Sequence, residues 1–312
     1  MNLHHLIEQY IAFRQALGEP FKGQATILRS FSRILGAETE ISNVGVVQVN
    51  AFLRGSGPVT SFWHAKSSVL HGFYGYAISR GHATVSPFPD TVPKRPPPFV
   101  PYIYSREELR RVLEAAENDR HPTRRAEPHT LRTVFLLLYA AGLRVSEALN
   151  LDCEDVDLAS SLMTIRNTKF FKSRLVPLGP QLSWVMKGYS GWRQTHHPTD
   201  EQNAPFFVGR DGARLAHRSL DVAFLHMCLR AGIRRPDTAR FQPRLQDLRH
   251  TFAVHRLVEW YRQGADVQKL LPQLSVYLGH CCLSSTQAYL NMTPELLRQA
   301  SDRFERYACQ GG

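Results

Sequence analysis

The segment RLQDLRHTFAVH, from Arg244 to His255, gives the clearest indication of how the second half of the chain folds. We predict a helix over residues 246–263 that contains it. Gln246 and Arg249 are three residues apart, so their side chains lie on one face of that helix. An arginine in such a position is usually a solvated surface charge. A functional role for it therefore needs support from other segments.

The segment AAGLRVSEALNL, from Ala140 to Leu151, provides part of that support. Gly142 ends a strongly apolar helix, and Arg144 opens the next one. A guanidinium beside the free N–H groups of a helix N-terminus is well placed to bind a phosphate. Glu147 follows one turn later and is able to orient an arginine, although a surface glutamate is nearly as common there.

Two further segments set polar residues among apolar ones. TKFFKSRLVPL, from Thr168 to Leu178, has Lys169 at the tip of a predicted hairpin, and YLGHCCLSSTQAYL, from Tyr277 to Leu290, has His280 nine residues before Tyr289. Taken singly, a hairpin lysine is usually solvated, a histidine after glycine usually ends a helix, and a helical tyrosine is usually half-buried core. The four segments indicate a site only in combination and in this order.

Composition limits the classes of partner. The 312 residues suffice for two ordinary domains or one large one, and 43% of them are hydrophobic, so a well-buried core is expected. Lys and Arg number 38 against 27 Asp and Glu, which gives a net charge of +11. That surplus favours a polyanionic partner, with DNA, RNA and an anionic membrane surface all open, although a merely basic soluble protein is as compatible.

The sequence predicts neither a membrane span nor a bound metal. It contains no run of roughly 18 apolar residues, and its N-terminus lacks the order of a signal peptide. The five cysteines have no zinc-site spacing, and carboxylates do not cluster. We therefore expect no metal or other cofactor, and a reducing cytoplasm as the location.

A proline-rich segment divides the chain. Residues 85–101 read VSPFPDTVPKRPPPFVP, with seven prolines, a density that neither a helix nor a central strand tolerates. We interpret it as an interdomain linker between residues 1–84 and residues 102–312; the alternative is a long surface loop within one domain. Apolar periodicity predicts four helices in the first part, a small bundle. Its basic residues are available to phosphates, although each is more readily a solvated charge: Lys22, Arg29, Arg33, Arg54, Lys66 and Arg80.

After the linker, Ser105 and Glu108 form the pattern of a capping box at a helix start. Residues 131–141 are strongly apolar and predict a buried helix, and residues 162–165 and 174–178 predict a hairpin. Further helices are predicted over residues 219–231, 246–263, 266–277 with an interruption at Pro272, 284–291 and 293–307. The fold class expected is mainly α with a small β-sheet.

Together the four segments resemble the motifs of the tyrosine recombinases, the family of phage integrases and Xer-type resolution enzymes. GLRVSE around Arg144 is similar to the first-arginine box, and DLRHTFA around Arg249 to the second. Lys169 aligns with the β-hairpin lysine, and LGH followed by Tyr289 resembles the last box. The match covers about residues 104–307. It implies a C-terminal α+β catalytic domain and, from the helical pattern alone, an N-terminal core-binding, SAM-like domain.

The resemblance also implies a reaction, the site-specific cutting and rejoining of DNA strands, as in a mobile-element integrase. Arg144 and Arg249 neutralise the phosphate, and His280 contacts a non-bridging oxygen or helps to move the tyrosine proton. Lys169 protonates the leaving 5′-hydroxyl. Tyr289 attacks and keeps the phosphate as a 3′-phosphotyrosine, so neither ATP nor metal is required.

One position departs from the family pattern. Gln246 stands where the family usually has a histidine, three residues before the second arginine. An amide can donate a hydrogen bond to a phosphate oxygen, but it cannot exchange a proton near neutral pH. A lower reaction rate is the expected consequence, because the nucleophile and both arginines are retained.

The implied partner is double-stranded DNA, bound by a homo- or hetero-tetramer on two sites in the bacterial nucleoid, with no membrane involved. The isolated protein is compatible with a monomer until it meets DNA. The predicted helix over residues 293–307 is amphipathic, and docking on a neighbouring protomer and packing on its own domain are equally open.

Two other functions remain as alternatives. A catalytically silent DNA-binding relative is supported by Gln246 alone. A type IB topoisomerase would use the same chemistry without pairing two sites. A role based only on charge, at RNA or a membrane surface, ranks last.

Overall fold

The computed structural model describes residues 1–36, 38–96, 99–121, 125–166, 173–235, 242–280 and 282–291, with residues 298 and 301. The chain divides into two units, Met1–Phe99 and Val100–Gly312. Helices predominate in the described residues and the strands form one small sheet, so the predicted fold class is confirmed. Among these residues, no helix is long and apolar enough to cross a membrane.

The first unit is a set of helices around one apolar core. Leu3, Leu6, Ile7 and Tyr10 recur at intervals of three and four on one face of the first helix, and all four are buried. The helices are α1 (Leu3–Ala16), α2 (Lys22–Leu35), α3 (Val46–Arg54) and α4 (Ser61–Ser79). Two of the basic residues named above already have partners within this unit, since Arg29 pairs with Glu8 at 2.8 Å and Lys66 donates to the Phe52 carbonyl at 2.7 Å.

The second unit contains the remaining helices and the sheet. Its helices are α5 (Arg106–Glu117), α6 (Pro128–Ala140), α7 (Val145–Leu149), α8 (Pro180–His196), α9 (His217–Arg230), α10 (Asp247–Arg262), α11 (Val267–Leu278) and α12 (Ser284–Gln287), with a 3-10 turn at Ala288–Asn291. Strands β1 (Val156–Asp157), β2 (Leu162–Ile165) and β3 (Arg174–Pro177) form an antiparallel sheet in that order. Met163 pairs with both Val156 and Val176 and is fully buried, which anchors the sheet on the core.

Two apolar clusters position the ends of the helices in this unit. The larger one gathers the buried face of α6, including Leu131 and Phe135. The other joins α10 to α11 through Phe252 and Leu271, and it also contains Tyr289. Because α10 packs on both α6 and α11, the start of α7, the start of α10 and the end of α11 are held close together.

The predicted elements differ from the structure in two places, and one further prediction falls on residues that the structure does not describe. Pro272 does not interrupt a helix: α11 continues through it. Its missing amide would have bonded the carbonyl of Gln268, an exposed residue whose carbonyl can turn to water. The helix α8 was not predicted. The predicted helix over residues 293–307 lies outside the described residues, apart from Arg298 and Ser301.

Candidate active site

Arg144 sits at the N-cap of α7 and is held there by Glu147. Its backbone N–H donates to Glu147 Oε2 at 2.9 Å, and its Nη1 donates to Glu147 Oε1 at 2.7 Å. Its Nη2 donates to the carbonyl of Gly279 at 3.0 Å. The side chain is one third exposed (33%), so part of the guanidinium remains accessible to a ligand.

Arg249, on α10, is the second arginine and is almost completely buried. Its Nη1 donates to the carbonyl of Gly142 at 2.9 Å, and its Nη2 donates to the carbonyl of Leu278 at 2.6 Å. Burial, and next the charge of Arg144, lower its pKa to about 10. The group is therefore still a cation at neutral pH, held against one end of α6 and one end of α11.

Glu147 connects these cations. Its carboxylate is 7% exposed, accepts hydrogen bonds from Arg144 and Arg174, and lies 3.8 Å from Arg249 Nη1. Burial by itself would raise the pKa of this carboxyl, but the hydrogen bonds and charge of Arg174, with the hydrogen bonds from Arg144, hold the pKa at about 2. Three guanidiniums against one carboxylate leave a local charge of +2, which suits the binding of an oxyanion.

A glycine at each of two helix ends makes this arrangement possible. Gly142 and Gly279 have φ values of +60° and +68°, a conformation that favours glycine. Both supply a carbonyl to an arginine of the site, as described above. A Cβ on Gly279 would lie 2.9 Å from Arg174 Nη1, and a Cβ on Gly142 would overlap the ring of Phe252.

Gln246 lies immediately before α10 and reaches the start of α7. Its Oε1 is 3.4 Å from the backbone nitrogen of Val145, a long hydrogen bond. The side chain is half-buried. The amide of Gln246 thus reaches the residue that follows Arg144, at the edge of the same cluster of cations.

Tyr289 is 2% exposed, and its hydroxyl lies 3.1 Å from Nδ1 of His250. Burial raises the pKa of the phenol above its ordinary value, against the opposing charge of Arg249. The residue is therefore a neutral phenol at neutral pH. To act as a nucleophile, it has to give up a proton and reach a substrate from this buried position.

His280 follows the end of α11 and lies beside Tyr289, with 6.0 Å between the ring centres. Its Nδ1 is 2.7 Å from the hydroxyl of Thr286. Burial, then the charges of Arg249 and Arg144, lower its pKa to about 4, so the imidazole is neutral at neutral pH. Burial lowers the pKa of His250 to about 4 as well.

The described residues thus bring together most of the side chains expected from the motifs: Arg144, Glu147, Gln246, Arg249, His280 and Tyr289. Lys169 lies outside the described residues. Two contacting residues were not predicted to be part of the site, Arg174 and His250. Both stand inside the quoted motifs, RLVPL and DLRHTFA, but their spacing does not reveal which side chains they meet.

Within the described ranges, no group of three or more His, Cys, Asp or Glu is arranged to hold a metal ion.

The lowered pKa values of His250 and His280 predict how stability depends on pH. Their folded pKa values, about 4, lie below the ordinary value of about 6.5, so the stability they contribute is complete above pH 6.5. It is lost as the pH falls towards 4, because the unfolded chain binds protons that the folded chain does not. Each histidine should lower the free energy of unfolding by up to about 1.4 kcal/mol per pH unit in that window.

Urea unfolding at pH 7.5 and pH 5.0 measures this effect. His250→Gln should lose less stability between the two pH values than the wild type does, while the exposed His226→Gln should behave as the wild type. An equal loss in wild type and His250→Gln would contradict the pKa assigned to His250.

Comparison with known proteins gives a consistent family. Residues 104–295 match the model of the phage integrase family. The chain is 34% identical to an integrase/recombinase of Sinorhizobium fredii, y4rB, over 96% of both chains. It is 30% identical to the tyrosine recombinase XerD of Mycobacterium tuberculosis, over 87% of this chain and 86% of that protein.

Solved structures share the fold. The integrase of transposon Tn1549 in complex with a circular intermediate DNA matches with a TM-score of 0.69 and 15% identity, over 97% of this chain and 99% of that one. A lambda integrase tetramer bound to a Holliday junction matches with a TM-score of 0.68 and 15% identity, over 94% of this chain and 78% of that one. At these identities the likeness concerns the fold alone.

Proposed function

The chain belongs to the phage integrase family, and we propose that it cuts and rejoins double-stranded DNA with Tyr289 as nucleophile. The observation that carries this proposal is the convergence of Arg144 and Arg249 on one carboxylate, Glu147, beside His280 and Tyr289. Arginine forks bind phosphate oxygens bidentately and keep their charge, which is what a phosphoryl-transfer site requires.

The proposed reaction exchanges one phosphoester for another. The Tyr289 oxygen forms a bond to phosphorus while the bond from phosphorus to the 5′-oxygen breaks. The phenol proton passes to a base of the protein, and the 5′-oxygen gains a proton from an acid of the protein to become a hydroxyl. The 3′-phosphotyrosine retains the ester, so the 5′-hydroxyl of a partner strand can reverse the step without ATP.

His250 is the first acceptor for the Tyr289 proton, since its neutral ring is already in hydrogen-bond reach of the hydroxyl. His280 then contacts a non-bridging phosphate oxygen. Lys169 is the acid for the leaving 5′-hydroxyl, an assignment that rests on the family resemblance. Glu147 orients Arg144 and does not touch the substrate.

Gln246→His tests the position that departs from the family pattern. A histidine can exchange a proton where the amide cannot, so we expect strand cleavage at pH 6 to 7 to be faster by about tenfold. Gln246→Ala should be slower than wild type by about tenfold, because it removes a hydrogen-bond donor. Single-turnover cleavage measures both. An unchanged rate in Gln246→His would mean that the amide already suffices.

DNA is the proposed partner of both units. The net charge of +11 supports it, and Lys22, Arg33 and Arg54 are exposed basic residues of the first unit. We propose that this unit is a core-binding domain that follows the DNA backbone by charge, with the proline-rich segment as its linker. Affinity should then fall steeply as the salt concentration rises.

We further propose that exchange takes place in a tetramer on two DNA sites, since four strands are cut. The second unit has an apolar groove of about 1240 Å³ between α6, α8, α10 and α11. Trp184, in its lining, is 77% exposed. An amphipathic helix such as that predicted over residues 293–307 would fit this groove on a neighbouring protomer. Deletion of residues 293–312 should then leave DNA binding intact and weaken pairing of two sites, as measured by sedimentation.

One plasmid assay separates this proposal from its alternatives. A supercoiled plasmid carrying two copies of the target site, identified by selection from a random duplex library, is incubated with the protein. Exchange between the sites supports a recombinase. Relaxation without exchange would indicate a topoisomerase, and binding without cutting would indicate a silent DNA-binding relative.

A further inference from the structure

We infer that Arg174 is a positioning residue for strand cleavage: it fixes Glu147 and, through Glu147, the phosphate-binding guanidinium of Arg144. The inference rests on the function proposed above and extends it to a residue with no part in the reaction assigned so far. Arg174 lies at the first position of β3 and is 13% exposed, so it is not a surface charge.

Arg174 holds the Glu147 carboxylate in a bidentate pair. Its Nη1 donates to Glu147 Oε1 at 3.1 Å, and its Nη2 donates to Glu147 Oε2 at 2.8 Å. Two parallel bonds between planar groups fix orientation as well as distance. Glu147 therefore cannot rotate about its side-chain bonds without breaking at least one of them.

The orientation of Arg144 depends on that carboxylate. Glu147 Oε1 accepts from Arg144 Nη1, and Glu147 Oε2 accepts from the Arg144 backbone N–H. Each carboxylate oxygen thus bonds one group of Arg174 and one group of Arg144. If Arg174 were removed, the carboxylate would be free to turn, and the Arg144 fork would lose its fixed direction.

Arg174 also sets the charge at the phosphate site. Arg144, Arg174 and Arg249 against Glu147 leave +2, and without Arg174 the local charge falls to +1. The carboxylate would then offset a larger share of the positive charge of Arg144 and Arg249. A substrate phosphate would meet a weaker field although no residue that contacts it had changed.

The same side chain ties the sheet to the end of α11. Arg174 Nε donates to the carbonyl of Tyr277 at 3.0 Å. Its guanidinium also packs against Gly279, where any Cβ would lie 2.9 Å from Nη1. His280 is the next residue along the chain. Arg174 therefore helps to fix the backbone from which His280 projects, together with the bond that Arg144 donates to the carbonyl of Gly279.

Two substitutions and two substrates distinguish positioning from a merely structural role. Arg174→Gln removes the charge and the fork, and Arg174→Lys keeps the charge but not the fork. Arg166→Gln is the matched control, because Arg166 follows β2 of the same sheet and pairs with Asp155 and Glu154 rather than with Glu147. Each protein is assayed for thermal unfolding, DNA affinity and single-turnover cleavage. The substrates carry either the natural phosphodiester or a neutral methylphosphonate at the cleaved position.

We expect Arg174→Gln to bind DNA within about threefold of wild type and to cleave the phosphodiester about 100-fold more slowly, as for the loss of one charge-stabilising group. On the methylphosphonate the deficit should shrink to about tenfold or less, since a neutral group needs less positive charge. Arg174→Lys should be about tenfold slower on the phosphodiester, and it remains informative if the glutamine variant does not fold. Arg166→Gln should cleave like the wild type.

Wild-type cleavage by folded Arg174→Gln or Arg174→Lys would overturn the inference, as would an equal deficit on both substrates accompanied by a lowered unfolding temperature. Failure of the proposed function would look different. In that case the wild-type protein itself would not cleave either substrate, whatever residue stands at position 174.

Discussion

Tyr289→Phe is expected to abolish strand cleavage and covalent attachment to DNA while leaving DNA affinity within about twofold of wild type. The substitution removes the only atom that attacks phosphorus in the proposed reaction. The ring itself is 2% exposed and packs in the cluster between α10 and α11, a place that phenylalanine fills equally well. The lost contact with His250 should cost about 1 kcal/mol of stability.

Gel-shift binding and denaturing gels of a half-site substrate that traps the cleaved state measure the two properties separately. Tyr261→Phe is the matched control, because Tyr261 is a partly buried tyrosine of the same cluster outside the site. It should cleave like the wild type. If Tyr289→Phe still cleaves DNA, another residue is the nucleophile and the assigned roles fail together.

Arg249→Ala is expected to slow cleavage by about 100- to 1000-fold, the effect of removing one preorganised group that stabilises charge in the transition state. The variant should also be less stable, because the buried carbonyls of Gly142 and Leu278 lose their donors. Single-turnover cleavage and thermal unfolding of the same preparations separate the two effects.

Two further variants complete that test. Arg249→Lys keeps a charge but cannot bridge both carbonyls, so it should cleave at least about tenfold more slowly than wild type. Arg144→Ala should lose as much rate as Arg249→Ala with a smaller loss of stability, since its side chain is one third exposed. Normal turnover by Arg144→Ala or Arg249→Ala would contradict the proposed binding of the phosphate by these two arginines.

Local signals were sufficient for many elements of the fold. The capping box predicted at Ser105 is present: its hydroxyl accepts from the Glu108 N–H at 3.2 Å, and the Glu108 carboxylate accepts from the Ser105 N–H at 2.8 Å. The hairpin was predicted from two short apolar runs, and β2 and β3 pair there. Such features depend on residues that are close in the sequence.

Elements stabilised by tertiary packing were harder to predict. Helix α8 contains Gly188 and Gly191 in its interior, so its intrinsic helix propensity is low. It forms because Leu182, Met186 and Tyr189 are buried in the main core, and it packs on α6. Burial of these three side chains offsets the weak propensity.

The members of the candidate site could be predicted, but their pairing could not. The motifs indicated Arg144, Arg249, His280 and Tyr289 because their order along the chain is specific. That Arg174 would meet Glu147, and His250 would meet Tyr289, follows from contacts between segments distant in sequence. The burial of Tyr289 is likewise a tertiary property, and it means that the nucleophile has to move before it can attack.

The central claim, that Tyr289 is the nucleophile, is tested most directly by locating the covalent bond. The protein is reacted with a half-site substrate from which the cleaved end diffuses away, the DNA is digested with nuclease, and the protein is analysed by peptide mass spectrometry. The account predicts a nucleotide phosphate attached to Tyr289. Attachment to any other residue, or cleaved DNA with no attached protein, would contradict it.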